Sequence, residues 1–139
     1  HAESRRQRQM CIRDRELMEL GVLVNTGAHG QREGLATHWE MWSFAEGGMS
    51  PMQMLATATI NPARYLGMDA DLGSIETGKL ADLQVVDGNP LEDVKSTDRI
   101  THVMVNGRLY RANDLGEEVT GSRPAPTLWW HNQPQHQIR

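Results

Sequence analysis

The chain has 139 residues, enough for one ordinary domain and too few for two large ones. Its formal net charge of −4 gives no electrostatic reason to expect nucleic acid or an anionic membrane as a partner. No apolar stretch approaches the roughly 20 residues of a membrane-spanning helix, and the single cysteine, Cys11, excludes an internal disulfide. The apolar residues gather between Leu17 and Tyr110.

Residues 1–15, HAESRRQRQMCIRDR, are polar and arginine-rich, with neither helical nor strand periodicity. The string RQRQMCIRDR resembles translated sequencing-adaptor DNA of the kind found in metagenomic assemblies. The segment is therefore expected to be a non-native or disordered tail and is set aside, as any appended sequence would be. His1-Ala2-Glu3-Ser4 also lacks an initiator methionine and an apolar signal region, so the chain is expected to begin inside its gene.

From Glu16 the pattern changes. Leu17, Met18 and Leu20 before Gly21 predict the last turn of a helix closed by a glycine cap. Val22-Leu23-Val24 is a short, β-rich, wholly apolar run, as expected of a strand buried on both faces of a parallel sheet. It leads into the loop Asn25-Thr26-Gly27-Ala28-His29-Gly30. Gly34 to Glu46 predicts a helix, with Leu35, His38, Trp39, Trp42 and Phe44 at helical spacing and Gly47-Gly48 as its stop. Ser50-Pro51-Met52-Gln53 predicts a capping box with proline in the first turn, opening a helix through Ala58. Asn61-Pro62 predicts an amide cap on a second short helix that closes at Gly67.

Beyond Gly67 the period switches to two. Gly73 to Glu76 predicts a short strand, Thr77-Gly78-Lys79 a turn, and Ala81 to Val86 a strand that stops at Asp87-Gly88-Asn89-Pro90. Ile100 to Val105, the hairpin signal Asn106-Gly107, and Arg108 to Tyr110 predict an antiparallel pair. Residues 113–139 are polar and proline-spotted, an irregular tail anchored by Trp129-Trp130. The expected fold class is α/β. Residues 16–67 are the end of a layered α/β structure, and residues 68–112 are a small β unit. The strand at Val22 needs parallel neighbours that this chain does not contain.

The segment MSPMQMLATATINPARYLGMDADLGSIETGKLADLQVVDGNPLEDV (49–94), followed by THVMVNGRLYRA, closely resembles the end of amidohydrolase-superfamily enzymes. The resemblance covers about residues 16–112. It implies the last strand and helices of a (β/α)8 barrel plus part of a flanking β-sandwich. It also implies a metal-dependent hydrolase acting on non-peptide carbon–nitrogen bonds of a small amide-type substrate. The implied cofactor is a divalent metal, expected to be zinc. The family's histidine ligands on the first, fifth and sixth strands lie upstream of this sequence, so the remainder of the barrel is an expected partner and the chain alone is expected to be inactive. On the eighth strand the family usually has an aspartate that binds metal and takes a proton from water. Aligning NTGAHG with that pattern puts His29 there, as the expected metal ligand and catalytic base. The replacement is a departure, because a neutral imidazole changes the charge and basicity of the site. The stretch GAHGQREGLATHWEMW is most similar to the imidazolonepropionase-like, propeller-fused branch.

Other candidates read more plainly. His38 sits on an apolar helix face and is expected to be a core residue; Gln31 and Arg32 belong to a solvated loop, and Glu40 to a helix surface. The methionine-rich group Trp39, Met41, Trp42, Met49, Met52 and Met54 is expected to be core, although methionine also suits an adaptable groove. Asp82 and Asp87 read as turn and edge residues of the β unit. The alternative to an enzyme fragment is a structural or interaction module without catalysis.

Overall fold

A computed structural model describes residues 2–28, 32 and 34–128. Along the chain run α1 (Ala2–Glu19), α2 (Leu35–Glu46), α3 (Pro51–Thr57), α4 (Ile60–Tyr65), β1 (Leu83–Val86), a 3₁₀ turn (Val94–Asp98), β2 (Ile100–Val105) and β3 (Arg108–Arg111). The strands form one antiparallel sheet in the order β1-β2-β3.

The helix ends follow the predicted chemistry. At Gly21, Val22 N–H donates to Leu17 C=O and Gly21 N–H to Met18 C=O, the paired bonds of a Schellman cap. The same pair recurs at Gly48 and at Gly67, and all three glycines have the positive φ this closure needs. At the start of α3 the capping box forms as predicted. Gln53 N–H donates to Ser50 Oγ at 3.3 Å, and Ser50 N–H to Gln53 Oε1 at 2.9 Å.

Four expectations are corrected. The first concerns residues 1–15, which are helical from Ala2 onward, as part of α1, and not an irregular tail. The stretch contains no glycine or proline and is rich in Arg, Gln, Glu and Met, all good helix formers. Cys11 packs into a small core with Phe44 and Met49, flanked by Met18 and Val24. That contact is possible because the backbone of α1 crosses Gly47 closely: a Cβ there would stand 2.6 Å from Cys11 Cβ.

The second correction is that Val22–Val24 is not a strand. Residues 22–28 are irregular, and Val22 and Leu23 are 48% and 41% exposed. A β-rich run becomes a strand only when a neighbour completes its ladder, and the described residues hold none for it.

The third is the stretch Gly73 to Glu76, also without strand pairing, for the same reason; its Ile75 is 88% exposed. The turn after it does form, with Lys79 N–H donating to Glu76 C=O.

The fourth is Asn61, which does not cap α4. The helix begins two residues earlier than expected, at Ile60 with Thr59 at the cap position, and Asn61 lies inside the first turn. Its buried side chain instead donates to Val24 C=O at 3.0 Å, across 37 residues.

The sheet follows the predicted hairpin. Asn106 and Gly107 both take positive φ, as a two-residue type I′ turn requires. β2 and β3 pair Val103 with Tyr110 and Met104 with Leu109. β1 pairs Leu83 with Met104, with an irregularity between Val85 and Val86. The 3₁₀ turn after β1 was not foreseen. Its Thr97 hydroxyl accepts from Trp42 Nε1 at 2.9 Å and ties the β unit to α2.

Beyond β3 the chain is less loose than expected as far as Arg123. Tyr110 bridges to Glu117, and Arg111 holds both Asp114 (3.0 Å) and Glu118 (2.9 Å). Trp129 and Trp130 lie outside the described residues, as does the rest of the tail.

Candidate functional site

The region of interest is the segment 22–28, which leads toward His29. His29 and Gln31 lie outside the described residues, and Arg32 is exposed. The residues just before His29 are placed in detail.

Three different helices grip this segment. From α4, Asn61 Nδ2–H donates to Val24 C=O at 3.0 Å. At the end of α3, Thr57 C=O accepts from Thr26 N–H at 3.0 Å. Thr57 is fully buried, and its own hydroxyl donates back to Met54 C=O. From α2, a Glu40 carboxylate oxygen accepts from Gly27 N–H at 2.8 Å. Hydrogen bonds that a sheet ladder would ordinarily supply are replaced by one amide side chain, one carbonyl and one carboxylate.

Glu40 was expected to be a plain surface carboxylate, and its bond to Gly27 is what the sequence reading missed. A signal was available. Ala36, Glu40, Ser43 and Phe44 recur at helical spacing and share one face of α2, otherwise small or apolar. A carboxylate in the middle of such a face calls for a partner. That face, with Trp39, Met10, Cys11, Asp14, Gly27 and Ala28, lines an open cleft of about 350 Å³ between α1 and α2.

The cleft is an acidic, partly desolvated place. Burial pushes the Cys11 thiol pKa up, and the nearby negative charges of Asp14, Glu40 and Glu46 add to the rise. Burial also raises the Asp14 carboxyl. Cys11 is therefore held as a neutral thiol, unlike a reactive cysteine, whose surroundings favour the thiolate. His38 is half-buried on α2, and its Nδ1 has no hydrogen-bond partner among the described residues. Among the described residues no three His, Cys, Asp or Glu side chains stand close enough to hold a metal ion. Those residues do not fit a complete metal centre.

Asp82 accepts from Asn106 N–H at 2.6 Å and so braces the β2–β3 turn against the start of β1. Its work is structural. Of the methionine-rich group, Met41, Met49 and Met54 are buried, whereas Met52 and Trp39 are exposed, so the group is only partly core.

These helices, the segment they grip and the small antiparallel unit define an α/β chain whose relatives are hydrolases. The chain belongs to the amidohydrolase family, whose model matches residues 4–110. It is 29% identical over 103 residues to ochratoxinase from Aspergillus niger, an alignment covering 71% of this chain and 22% of that protein. To imidazolonepropionase from Symbiobacterium thermophilum it is 51% identical over 39 residues, 28% of this chain and 9% of the other. Among solved structures, a Xaa-Pro dipeptidase with methionine bound in its active site matches with a TM-score of 0.67 and 36% identity, over 75% of this chain and 26% of that one. Molinate hydrolase matches with a TM-score of 0.58 and 29% identity, over 79% and 22%. The chain thus spans 26% or less of the length of each of these four.

Proposed function

We propose that this chain is the carboxy-terminal part of a metal-dependent hydrolase that cleaves carbon–nitrogen bonds in small amide-type substrates. Segment 22–28 then stands where the last strand of a (β/α)8 barrel would run, and β1–β3 belong to a β-sandwich beside it. One observation carries the reading: Val22 and Leu23, β-rich and apolar, stay 48% and 41% exposed although helices fix the segment at Val24, Thr26 and Gly27. Such a run is what a barrel stave looks like when its parallel neighbours are missing. Active residues of such barrels sit at the carboxy ends of strands, which is where His29 follows.

In this reading the divalent metal, taken as zinc, is held mostly by residues outside the chain, with His29 as this chain's contribution. A catalytic zinc ordinarily takes three protein ligands, so the chain alone is expected to be inactive. The substrate class extends to peptide bonds beside the non-peptide bonds that the sequence implies, since one of the similar solved structures is of a Xaa-Pro dipeptidase. A structural module without catalysis would draw on the same exposed apolar residues and has no observation of its own.

The test is metal content by mass spectrometry on the parent-length protein, with and without His29→Ala, beside the isolated chain equilibrated with Zn²⁺. The parent should carry metal, His29→Ala should carry less, and the isolated chain should bind none stoichiometrically. Unchanged metal and activity in His29→Ala would remove His29 from the site. Stoichiometric zinc on the isolated chain would refute the placing of the ligands elsewhere.

A further inference from the structure

We infer that Glu40 is a positioning residue for the active-site loop: its carboxylate fixes Gly27, and through it the backbone that delivers His29 two residues later. This rests on the reading of His29 given above.

Val24 and Thr26 are held by groups that also serve the helices' own packing, a buried asparagine and the carbonyl of a buried threonine. Gly27 is different. It is exposed, one residue past the reach of α3, and the group that accepts its N–H is a side chain projecting from the second turn of α2. A charged acceptor makes the stronger kind of hydrogen bond, shorter and more directional than one between neutral groups. Glu40, Gly27 and Ala28 all line the same cleft, so the bond joins two parts of its wall. The helix is itself anchored, through Trp42 Nε1–H to Thr97 Oγ1, so Glu40 has a fixed base from which to hold the loop. Supports of this type, one step removed from a reacting group, commonly decide whether that group is correctly placed.

The test has two arms. In the 139-residue chain, the Gly27 amide is followed by ¹⁵N–¹H spectroscopy and hydrogen exchange. Glu40→Ala should move its resonance and raise its exchange about five- to tenfold, the range of one hydrogen bond. Glu40→Gln, which keeps a neutral acceptor, should fall between. Trp42→Phe removes the anchor to Thr97 but keeps the Glu40 carboxylate, so it should move the Gly27 resonance and exchange less than Glu40→Ala does, which separates the direct bond from general weakening of α2. In the parent-length enzyme, Glu40→Ala should weaken Co²⁺ binding about tenfold, the lower end of the effect of such supports, with partial rescue by Glu40→Gln.

A Gly27 amide indifferent to Glu40→Ala overturns the proposal. So does a Gly27 amide that responds while Co²⁺ binding depends on His29 and not on Glu40. If Co²⁺ binding depends on neither, the failure lies in the reading of His29, and the proposal falls with it.

Discussion

Asn61 allows a sharp test, because two readings of it predict opposite rankings. As a tether, its amide donates to Val24 C=O from a site only 5% exposed. Asn61→Ala then leaves a half-buried carbonyl without its donor, at a cost of about 1–3 kcal/mol. Alanine's better helix propensity returns up to about 0.7 kcal/mol. The net loss is about 1–2 kcal/mol, which for a urea slope near 2 kcal/mol/M lowers the unfolding midpoint by about 0.5–1 M. Asn61→Asp is the decisive variant. It is isosteric, but at neutral pH it sets a carboxylate against a carbonyl oxygen and should cost at least as much as alanine. Its folded-state pKa would be raised, so its contribution is present below the unfolded value of about 3.9 and is lost as pH rises through the folded pKa. The deficit should therefore shrink on acidification, as the protonated acid regains an O–H donor. Were Asn61 a helix cap, aspartate would match asparagine or exceed it, helped by the helix dipole. Urea titrations followed by tryptophan fluorescence give the order directly. Aspartate equal to asparagine at pH 7, with alanine worst, would refute the tether.

Two further outcomes follow from single contacts. Gly47→Ala needs no change of backbone, since φ is −74°, but places a methyl 2.6 Å from Cys11 Cβ and 2.7 Å from its carbonyl carbon. Overpacking of this kind costs about 1–3 kcal/mol, so the α1–α2 contact should open and the reaction of Cys11 with a disulfide reagent should speed up about five- to hundredfold; an unchanged rate would contradict the packing of α1. Glu117 accepts from Thr120 N–H and hydroxyl and from Ser122 N–H and hydroxyl, which lowers its pKa from 4.5 to about 2. Its stabilising effect is complete above 4.5 and is lost as pH falls toward 2, and in the folded chain the Thr120 and Ser122 amide resonances should titrate together with a midpoint at about 2 and not do so in Glu117→Gln.

What could be read from the sequence was whatever is settled within a few residues. The Ser50–Gln53 box and the glycine closures at Gly21, Gly48 and Gly67 are local bonds between near neighbours. The Asn106-Gly107 turn is local in the same sense. Val22–Val24 and Gly73–Glu76 were misread because period and composition state what a segment is suited to, not whether a partner strand is present. Asn61 was misread for a related reason. Asparagine before proline is a cap by local rules, but here a partner 37 residues away claims the side chain. Glu40 belongs to the same class, since its partner is 13 residues back on another element. The family resemblance, in contrast, was legible because its motifs lie in the stretches with strong local chemistry, from the capping box through GKLADL to VNGR.

The position of α2 follows from these long-range bonds. Glu40 and Trp42 are two residues apart, so on a helix they point to nearly opposite sides. One side grips Gly27, ahead of His29; the other grips Thr97, in the 3₁₀ turn that leads from β1 to β2. Thr97 is buried, at 4% exposure, and its hydroxyl also donates to Val94 C=O, so the turn cannot shift without breaking its own closure. The β unit is thus coupled to the loop through a single turn of helix and two side-chain hydrogen bonds, with no contact of its own to the loop required. That arrangement gives the β unit a physical reason to accompany the helices: without Thr97, the helix that carries Glu40 loses the partner of its opposite face.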